Sequence, residues 1–330
     1  MKVEKKQALI SVVIPTYNQT NFIDETLRSV ISQSYKNLQI IVADDCSTDG
    51  TVDKLKQYVA QDQRIELLLS EVNLGIPTNF NRAFDACTGE FVAFLGGDDI
   101  MLPEKLETQV RFLKENKEYV LVQSDMELFD SQSGKTVKLL SDNGVIPTKP
   151  LDWALKVDWN FENKYSGVLP SSCLARADYY LAARYSDALY LKHELLFTIE
   201  CYCRNPKGKW GVIPKVLGRY RLHETNFSQT KNANQSILME SFKLAEMART
   251  KCNHIRERVN EFEFFTAYKA ILFSQAKTKN ESTVCLQIFN SYANKQQKIG
   301  LKVGRILNKL GLLGLYLQLN RRFKYFSSEQ

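Results

Sequence analysis

Over the first 130 residues, short continuous apolar runs alternate with longer stretches in which apolar positions recur every three or four residues. The runs Leu9–Ile14, Leu38–Ala43, Ile65–Leu69, Glu90–Leu95 and Tyr119–Gln123 predict strands. The periodic stretches Phe22–Ser34, Thr51–Ala60, Thr78–Ala86 and Pro103–Lys114 predict helices, the first capped by Asn21 and the last opening on Pro103. Continuous apolar strands divided by helices of this length imply an α/β fold with a mostly parallel central sheet flanked by helices. In such sheets ligands bind outside the carboxyl ends of the strands.

The alternation therefore gathers four polar clusters on one edge: PTYN (Pro15–Asn18), DDCSTDGT (Asp44–Thr51), SEVNLG (Ser70–Gly75) and GGDD (Gly96–Asp99). No Gly-x-Gly-x-x-Gly follows the first strand and no Gly-Lys-Ser/Thr loop occurs, so the usual dinucleotide and nucleoside-triphosphate cradles are missing. Asp98 and Asp99 close a buried strand as adjacent, mutually repelling carboxylates. A solvated turn is the plain explanation; a shared divalent cation is the other, since magnesium and manganese commonly bridge one or two carboxylates to a diphosphate.

Composition, 44% hydrophobic and 25% charged over 330 residues, suits one large or two smaller globular domains. No segment approaches the roughly 20 apolar residues of a membrane span. Ala8–Pro15 leads into Thr16, Tyr17 and Asn18 without a small-residue cleavage site, so no secretory signal is expected. Seven cysteines without a Cys-x-x-Cys pair suit neither a disulfide framework nor a zinc site, and a cytoplasmic protein is expected.

Charge is unevenly spread. Residues 231–330 hold 17 Lys and Arg against 7 Asp and Glu, leaving 27 against 30 in residues 1–230. This marks off a basic, mainly helical C-terminal extension at 231–330. Near its end Lys298, Lys302, Arg305 and Lys309 share one side of a helical pattern, and Val303, Ile306, Leu307, Leu310 and Leu313 the other. Such a helix lies on a membrane surface or packs on the preceding domain. The further apolar run Leu310–Leu317 with Arg321, Arg322 and Lys324 favours contact of residues 297–330 with a membrane surface. The apolar side argues against a nucleic-acid partner.

SVVIPTYNQTNFIDETLRSVISQSYKNLQIIVADDCSTDGT, followed by NLGIPTNFNRAFDACTGEFVAFLGGDDIMLP, resembles the nucleotide-sugar-binding half of the family 2 inverting glycosyltransferases of the GT-A fold, of the bacterial surface-polysaccharide type. The likeness is close from Ser11 to about Pro103, weaker through Leu169–Arg204 and Tyr220–Ser228, and ends near residue 230. It implies a catalytic domain at 1–230, with a nucleotide-sugar-binding half at 1–123 and an acceptor-side half at 124–230. The implied activity is inverting transfer of a sugar from a nucleotide-diphosphate sugar to a hydroxyl of a saccharide or lipid-linked saccharide, in the synthesis of O-antigen, capsule or exopolysaccharide. The cofactor would be Mn2+ or Mg2+, and the membrane met by residues 297–330 would be the inner face of the cytoplasmic membrane.

The resemblance also implies roles. Pro15, Thr16, Tyr17 and Asn18 would lie along the nucleoside, with the Tyr17 ring stacked on the base; alone, Tyr17 reads as a core aromatic. Of Asp44 and Asp45, the second would hydrogen-bond base or ribose. Asn73, Gly75, Asn81 and Arg82 would line the nucleotide, although Arg82 also reads as a solvated helix charge. Gly97 and Asp98 would meet ribose or sugar, Asp99 would bind the metal, and His223 would contact metal or phosphate, or be a structural histidine. Relatives often carry Asp where this chain has Gly96, which leaves the donor sugar open.

Inverting transfer needs a carboxylate to take the acceptor proton. The family's Glu-Asp pair falls at Lys192-His193-Glu194-Leu195, so Glu194 is the candidate base and His193 replaces the first acid; His193 and Asp187 are next in line. Without the family, Glu194 reads as a first-turn carboxylate helped by the helix dipole. Trp153, Trp159 and Tyr165 are aromatics that could stack on sugars or fill a core. The Gly96 and His193 departures keep a second function in view, a catalytically degenerate scaffold or sugar-nucleotide-binding subunit. A nucleotidyltransferase would want a Gly-rich basic loop in place of PTYN.

Overall fold

The computed structural model describes residues 7–143, 148–150, 154–155, 168–189, 192–224, 226, 237–272 and 278–293. It divides into two compact units, Met1–Ala233 and Asn234–Gln330. In the first, β1 (Ile10–Thr16), β2 (Leu38–Asp44), β3 (Ile65–Leu69) and β4 (Phe91–Phe94) run parallel in the order β3-β2-β1-β4. Helices α1 (Ile23–Ile31), α2 (Thr51–Gln61) and α3 (Ile76–Asp85) connect them. Alternation along each strand splits the apolar side chains between two faces. Ile10, Val12 and Ile14 of β1 join Ile40, Val42, Phe91 and Ala93 in a core with Ile23, Leu27 and Val30 of α1. Phe94 turns the other way, where Phe80 and Phe84 of α3 lie 4.6 and 5.6 Å from its ring. Burial on both faces is why these strands are continuous apolar runs.

The sheet continues through β5 (Ile100–Met101), β6 (Tyr119–Asp130), β7 (Thr136–Leu139), β8 (Cys173–Arg176) and β9 (Lys209–Leu222), with α4 (Lys105–Glu115), α5 (Ala177–Tyr180) and α6 (His193–Arg204). Its nine strands run β3-β2-β1-β4-β8-β6-β9-β5, with β7 paired to β6. Beyond β4 the sheet is mixed, with β6 and β9 running parallel to each other. Strand β8 is antiparallel to β4 and β6, and β5 is antiparallel to β9. Strand β6 runs seven residues beyond its expected end because β9 pairs alongside it to Asp130. Gly218 lets β9 pass between its neighbours: a Cβ there would meet Met126 Sδ at 2.6 Å and the Ile100 carbonyl at 3.2 Å. That passage carries the end of β9 to the GGDD loop.

Two helix starts differ from expectation. Helix α1 opens at Ile23 behind Phe22 with no side-chain cap, so Asn21 does not cap it. Helix α4 begins at Lys105, leaving Pro103 outside, where its carbonyl accepts from the Ser34 N–H at 2.9 Å.

The second unit consists, among the described residues, of α7 (Ile237–Lys251), α8 (Arg256–Leu272) and α9 (Lys279–Tyr292) with a short 3-10 turn before α8. Thr278 and Glu281 form a reciprocal capping box on α9, at 3.1 and 3.0 Å. Phe242, Ala267, Ala270 and Cys285 form its core, and Arg249 grips Glu263 through both guanidinium ends at 2.8 and 3.2 Å. No helix among the described residues is long and apolar enough to cross a membrane. Residues 297–330, with the expected membrane-surface helix, lie outside the described residues.

The GGDD loop is held from below by Thr26, which is wholly buried in α1. Its hydroxyl donates to the Gly97 and Asp99 carbonyls at 3.0 and 2.9 Å. Thr26→Val keeps the shape and removes that donor. We expect a loss of about 1–3 kcal/mol, read as a lower urea midpoint with an unchanged slope.

Candidate active site

At the carboxyl edge of the parallel strands the loops are tied to one another by side chains. Past β1 the chain turns at Asn18, whose φ of 53° lies in the left-handed region that Asn tolerates. The Asn18 N–H donates to Ser47 Oγ, and its Oδ1 accepts from the Thr48 N–H, both at 2.8 Å. The Gln19 and Thr20 N–H groups donate to Thr51 Oγ1 and Asp49 Oδ2, both at 2.9 Å. The PTYN and DDCSTDGT segments are therefore one assembly. Tyr17 stands out from it, 48% exposed, and not in the core.

The first acidic pair faces inward. Asp44 is wholly buried and accepts from the Ser47 N–H at 2.9 Å and the Ser47 hydroxyl at 2.5 Å. Asp45, expected at the base or ribose, is 4% exposed, and its two oxygens accept from the Leu74 and Gly75 N–H groups at 2.7 and 2.9 Å. Asn73 Oδ1 also accepts from Gly75, at 3.1 Å. The loop after β3 is thus held onto the end of β2, with Gly75 at a positive φ of 82° that suits glycine.

In the second pair one acid is buried and one is presented. Asp99, expected as the metal ligand, is 2% exposed; Ser171 Oγ–H donates to its Oδ2 at 2.5 Å and the Arg221 N–H to its Oδ1 at 3.1 Å. Burial, and after it the charge of Asp98, pushes its carboxyl well above the usual carboxylate range. Asp98 points elsewhere: its Oδ2 lies 3.0 Å from His223 Nε2, with Asn226 Nδ2 at 3.5 Å. Arg221 Nε–H donates to the Asp98 carbonyl at 2.7 Å, and its Nη2 pairs with Glu25 of α1. Its guanidinium lies over the Phe22 and Phe129 rings, at 5.0 and 4.7 Å. A Cβ at Gly97 would come within 1.9 Å of Gln19 Oε1 and so displace that side chain from its bond with Thr16.

Glu194 sits in the first turn of α6 and lines a small cavity with Tyr179, Tyr180, Tyr185, Phe197 and Trp210. Burial raises its carboxyl above the ordinary glutamate value, an effect that His193 opposes. The cavity reaches Pro170. The next residue, Ser171, accepts from the Gly96 N–H at 3.0 Å and donates to Asp99, so cavity and GGDD loop share a short turn. Asp187 is on the surface, accepting from the Thr78 hydroxyl at 3.0 Å.

Asn81 and Arg82, expected to line the nucleotide, are engaged within the protein. Asn81 exchanges two hydrogen bonds with the Tyr185 backbone, and Arg82 donates to Asn79 Oδ1 and the Leu69 carbonyl at 3.1 and 2.9 Å. Sequence reasoning passed over Ser171, Arg221, Asn226 and Glu25. Arg221 and Asn226 flank His223 in YRLHETNFS, and an arginine two residues from a candidate ligand was the available signal. Glu25 and Ser171 carried none. Trp153, Trp159 and Tyr165 lie outside the described residues.

The family model "Glycosyl transferase family 2" matches residues 11–152. A putative teichuronic acid biosynthesis glycosyltransferase of Bacillus subtilis, TuaG, is 43% identical over 107 residues, 32% of this chain and 42% of that protein. The Escherichia coli UDP-Glc:alpha-D-GlcNAc-diphosphoundecaprenol beta-1,3-glucosyltransferase WfgD is 37% identical over 108 residues, 33% of this chain and 42% of that protein. The chain thus spans less than half the length of these relatives. The structure of S. aureus TarS 1–349 in complex with UDP-GlcNAc superposes with a TM-score of 0.66 at 18% identity, covering 96% of this chain and 93% of that one, which establishes the common fold. Residues 11–152 thus match the model of glycosyl transferase family 2, and the sheet and helices of the chain are those of the GT-A fold.

Proposed function

We propose that the protein transfers a sugar, with inversion, from a nucleoside-diphosphate sugar to a hydroxyl of a saccharide or polyprenyl-diphosphate-linked saccharide, in the synthesis of a surface polysaccharide. The observation that carries this reading is the division of labour in the GGDD loop. Asp98 and His223, each only partly buried, meet at 3.0 Å, while Asp99 is enclosed. The relatives support the substrate classes: one carries UDP-Glc and GlcNAc-diphosphoundecaprenol in its name, and one neighbour was solved with UDP-GlcNAc.

A carboxylate oxygen beside an imidazole nitrogen suits Mn2+ or Mg2+. We assign that role to Asp98 and His223, not to Asp99, whose oxygens already hold Ser171 and Arg221. When bound, the cation would neutralise charge on the leaving diphosphate. Tyr17, exposed on the stitched loops, offers a face for the base, and Asp44 and Asp45 shape the loops around it. In the transfer itself the acceptor oxygen attacks the anomeric carbon and its proton passes to Glu194. The bond from that carbon to the diphosphate oxygen breaks, its electron pair leaving with the diphosphate. A base whose carboxyl is raised by burial holds that proton better than an ordinary glutamate.

Asp98→Ala and His223→Ala, in the folded protein, should each weaken Mn2+-dependent UDP binding by more than about tenfold, measured calorimetrically. Unchanged binding in both would overturn the assignment of the cation site. Glu194→Gln should retain UDP affinity and lose about 10²–10⁴ in kcat, followed as UDP release from UDP-glucose and UDP-GlcNAc with GlcNAc-diphosphoundecaprenol as acceptor. Because the Glu194 carboxyl is raised, the wild-type rate should fall as pH drops through that raised value, above the ordinary glutamate range near 4.3. A rate flat down to that range counts against Glu194. Nucleotide binding without turnover on any donor would favour the degenerate scaffold. For the basic end of the chain we propose contact with an anionic membrane surface. Removing residues 297–330 should shift the protein from vesicles of anionic lipid to the supernatant, and equal partitioning would refute it.

A further inference from the structure

Helix α3 and the segment leading into α6 meet through contacts that the reaction as described so far does not use. Asn81 Nδ2 donates to the Tyr185 carbonyl, and the Tyr185 N–H donates to Asn81 Oδ1, both at 2.9 Å. The amide side chain pairs with the Tyr185 backbone as a neighbouring strand would, and it fixes that peptide from both sides. The Tyr185 ring is 7% exposed and sandwiched. Phe80 of α3 lies 4.9 Å away on one side, and Phe197 of α6 is stacked on it at 4.4 Å with the planes 3° apart. The His193 ring stands 5.6 Å from it, edge-on. Phe197 follows Glu194 by three positions and so shares its side of the helix. Tyr185 and Glu194 line the same cavity, and the charge of Glu194 helps to raise the Tyr185 hydroxyl.

The other end of α3 is anchored to the loops of the candidate donor site. Asp45 holds the Leu74 and Gly75 N–H groups, and Asn79 Nδ2 donates to the Ala43 carbonyl at 2.8 Å. One short helix thus connects the donor loops to the turn that carries Glu194. We propose that Asn81 and Tyr185 are positioning residues that set the Glu194 carboxylate at its working distance from the donor. Asn81 is then not a donor contact, and the sequence pattern around it reports a brace between the two halves of the domain. The inference rests on Glu194 being the base. A base must stand within hydrogen-bond reach of the proton it takes, and a displacement of about 1 Å can cost about 100-fold in rate.

The test uses the full chain, with UDP and Mn2+ as the binding probe and UDP release from UDP-glucose or UDP-GlcNAc, with GlcNAc-diphosphoundecaprenol, as the rate. Asn81→Ala should lower kcat by up to about 100-fold while UDP affinity stays within about twofold. Combined with Glu194→Gln, it should add almost nothing to the loss from Glu194→Gln alone, because groups that act through one another are not additive. Asn81→Asp keeps the shape and the bond from the Tyr185 N–H and gives up only the one to its carbonyl. It should fold where alanine does not, and show the same pattern of reduced kcat with unchanged UDP affinity. Loss of UDP affinity in Asn81→Asp would make Asn81 a donor contact and overturn the proposal. So would full turnover, or a loss that multiplies with that of Glu194→Gln. If Glu194→Gln alone retains full turnover, the base assignment falls and takes this inference with it; if Glu194→Gln collapses while both Asn81 variants work normally, only the inference falls.

Discussion

The enclosed carboxyl of Asp99 is the constraint on which the candidate site depends. Taking a carboxyl out of water is costly unless its oxygens find partners. Its partners come from far along the chain, the Ser171 hydroxyl 72 positions away and the Arg221 N–H 122 positions away. Satisfying one side chain therefore draws together the GGDD loop, the turn at 170–172 and the end of β9. Arg221, once there, braces the loop again through the Asp98 carbonyl and reaches α1 through Glu25. With the neighbouring acid turned inward, Asp98 is the one left to face His223. Two adjacent carboxylates after a strand are then not redundant, because the turn closed by the Asp99 N–H on the Gly96 carbonyl at 3.1 Å sends their side chains to different partners.

The same solution appears one loop earlier. Asp44 and Asp45 also end a buried strand, and both are spent on the protein itself, Asp44 on Ser47 and Asp45 on two backbone N–H groups of the loop after β3. Short acidic side chains at strand ends are efficient at this because they reach backbone donors that no ladder satisfies. On the proposed function these acids act through loop shape, and exposed groups such as Tyr17 are the ones that would meet the nucleotide.

The parallel half of the fold was legible in the sequence because burial on both faces writes itself as continuous apolar runs. Ile65–Leu69 coincides with its predicted strand, and the other three parallel strands end within two residues of expectation. The later half was not, since β6, β8 and β9 owe their lengths and directions to partners distant in the chain. That gap reached the site. Which of Asp98 and Asp99 turns to His223 depends on the β5–β9 pairing that brings Arg221 and His223 to the loop, and no local pattern contains that pairing. The engagement of Asn81 was hidden for a related reason: a polar residue after a nucleotide-loop motif gives no hint that its amide is claimed by a backbone 104 positions on.

Helix α3 shows how helical spacing serves two surfaces at once. Thr78, Asn81 and Asp85 follow one another at intervals of three and four, and they meet Asp187, Tyr185 and Arg184 in turn. Asn79 and Arg82, three apart and offset by one position, meet Ala43 and Leu69 at the strand ends. Phe80, Ala83 and Phe84 take the remaining face into the core. A helix with two polar faces would ordinarily read as solvent-exposed. Here both polar faces are docked, one on the loops proposed to hold the donor and one on the segment before Glu194. Ten residues of helix leave little room for independent motion of either partner. On the proposal above, a shift of the donor loops would carry the segment before Glu194 with it.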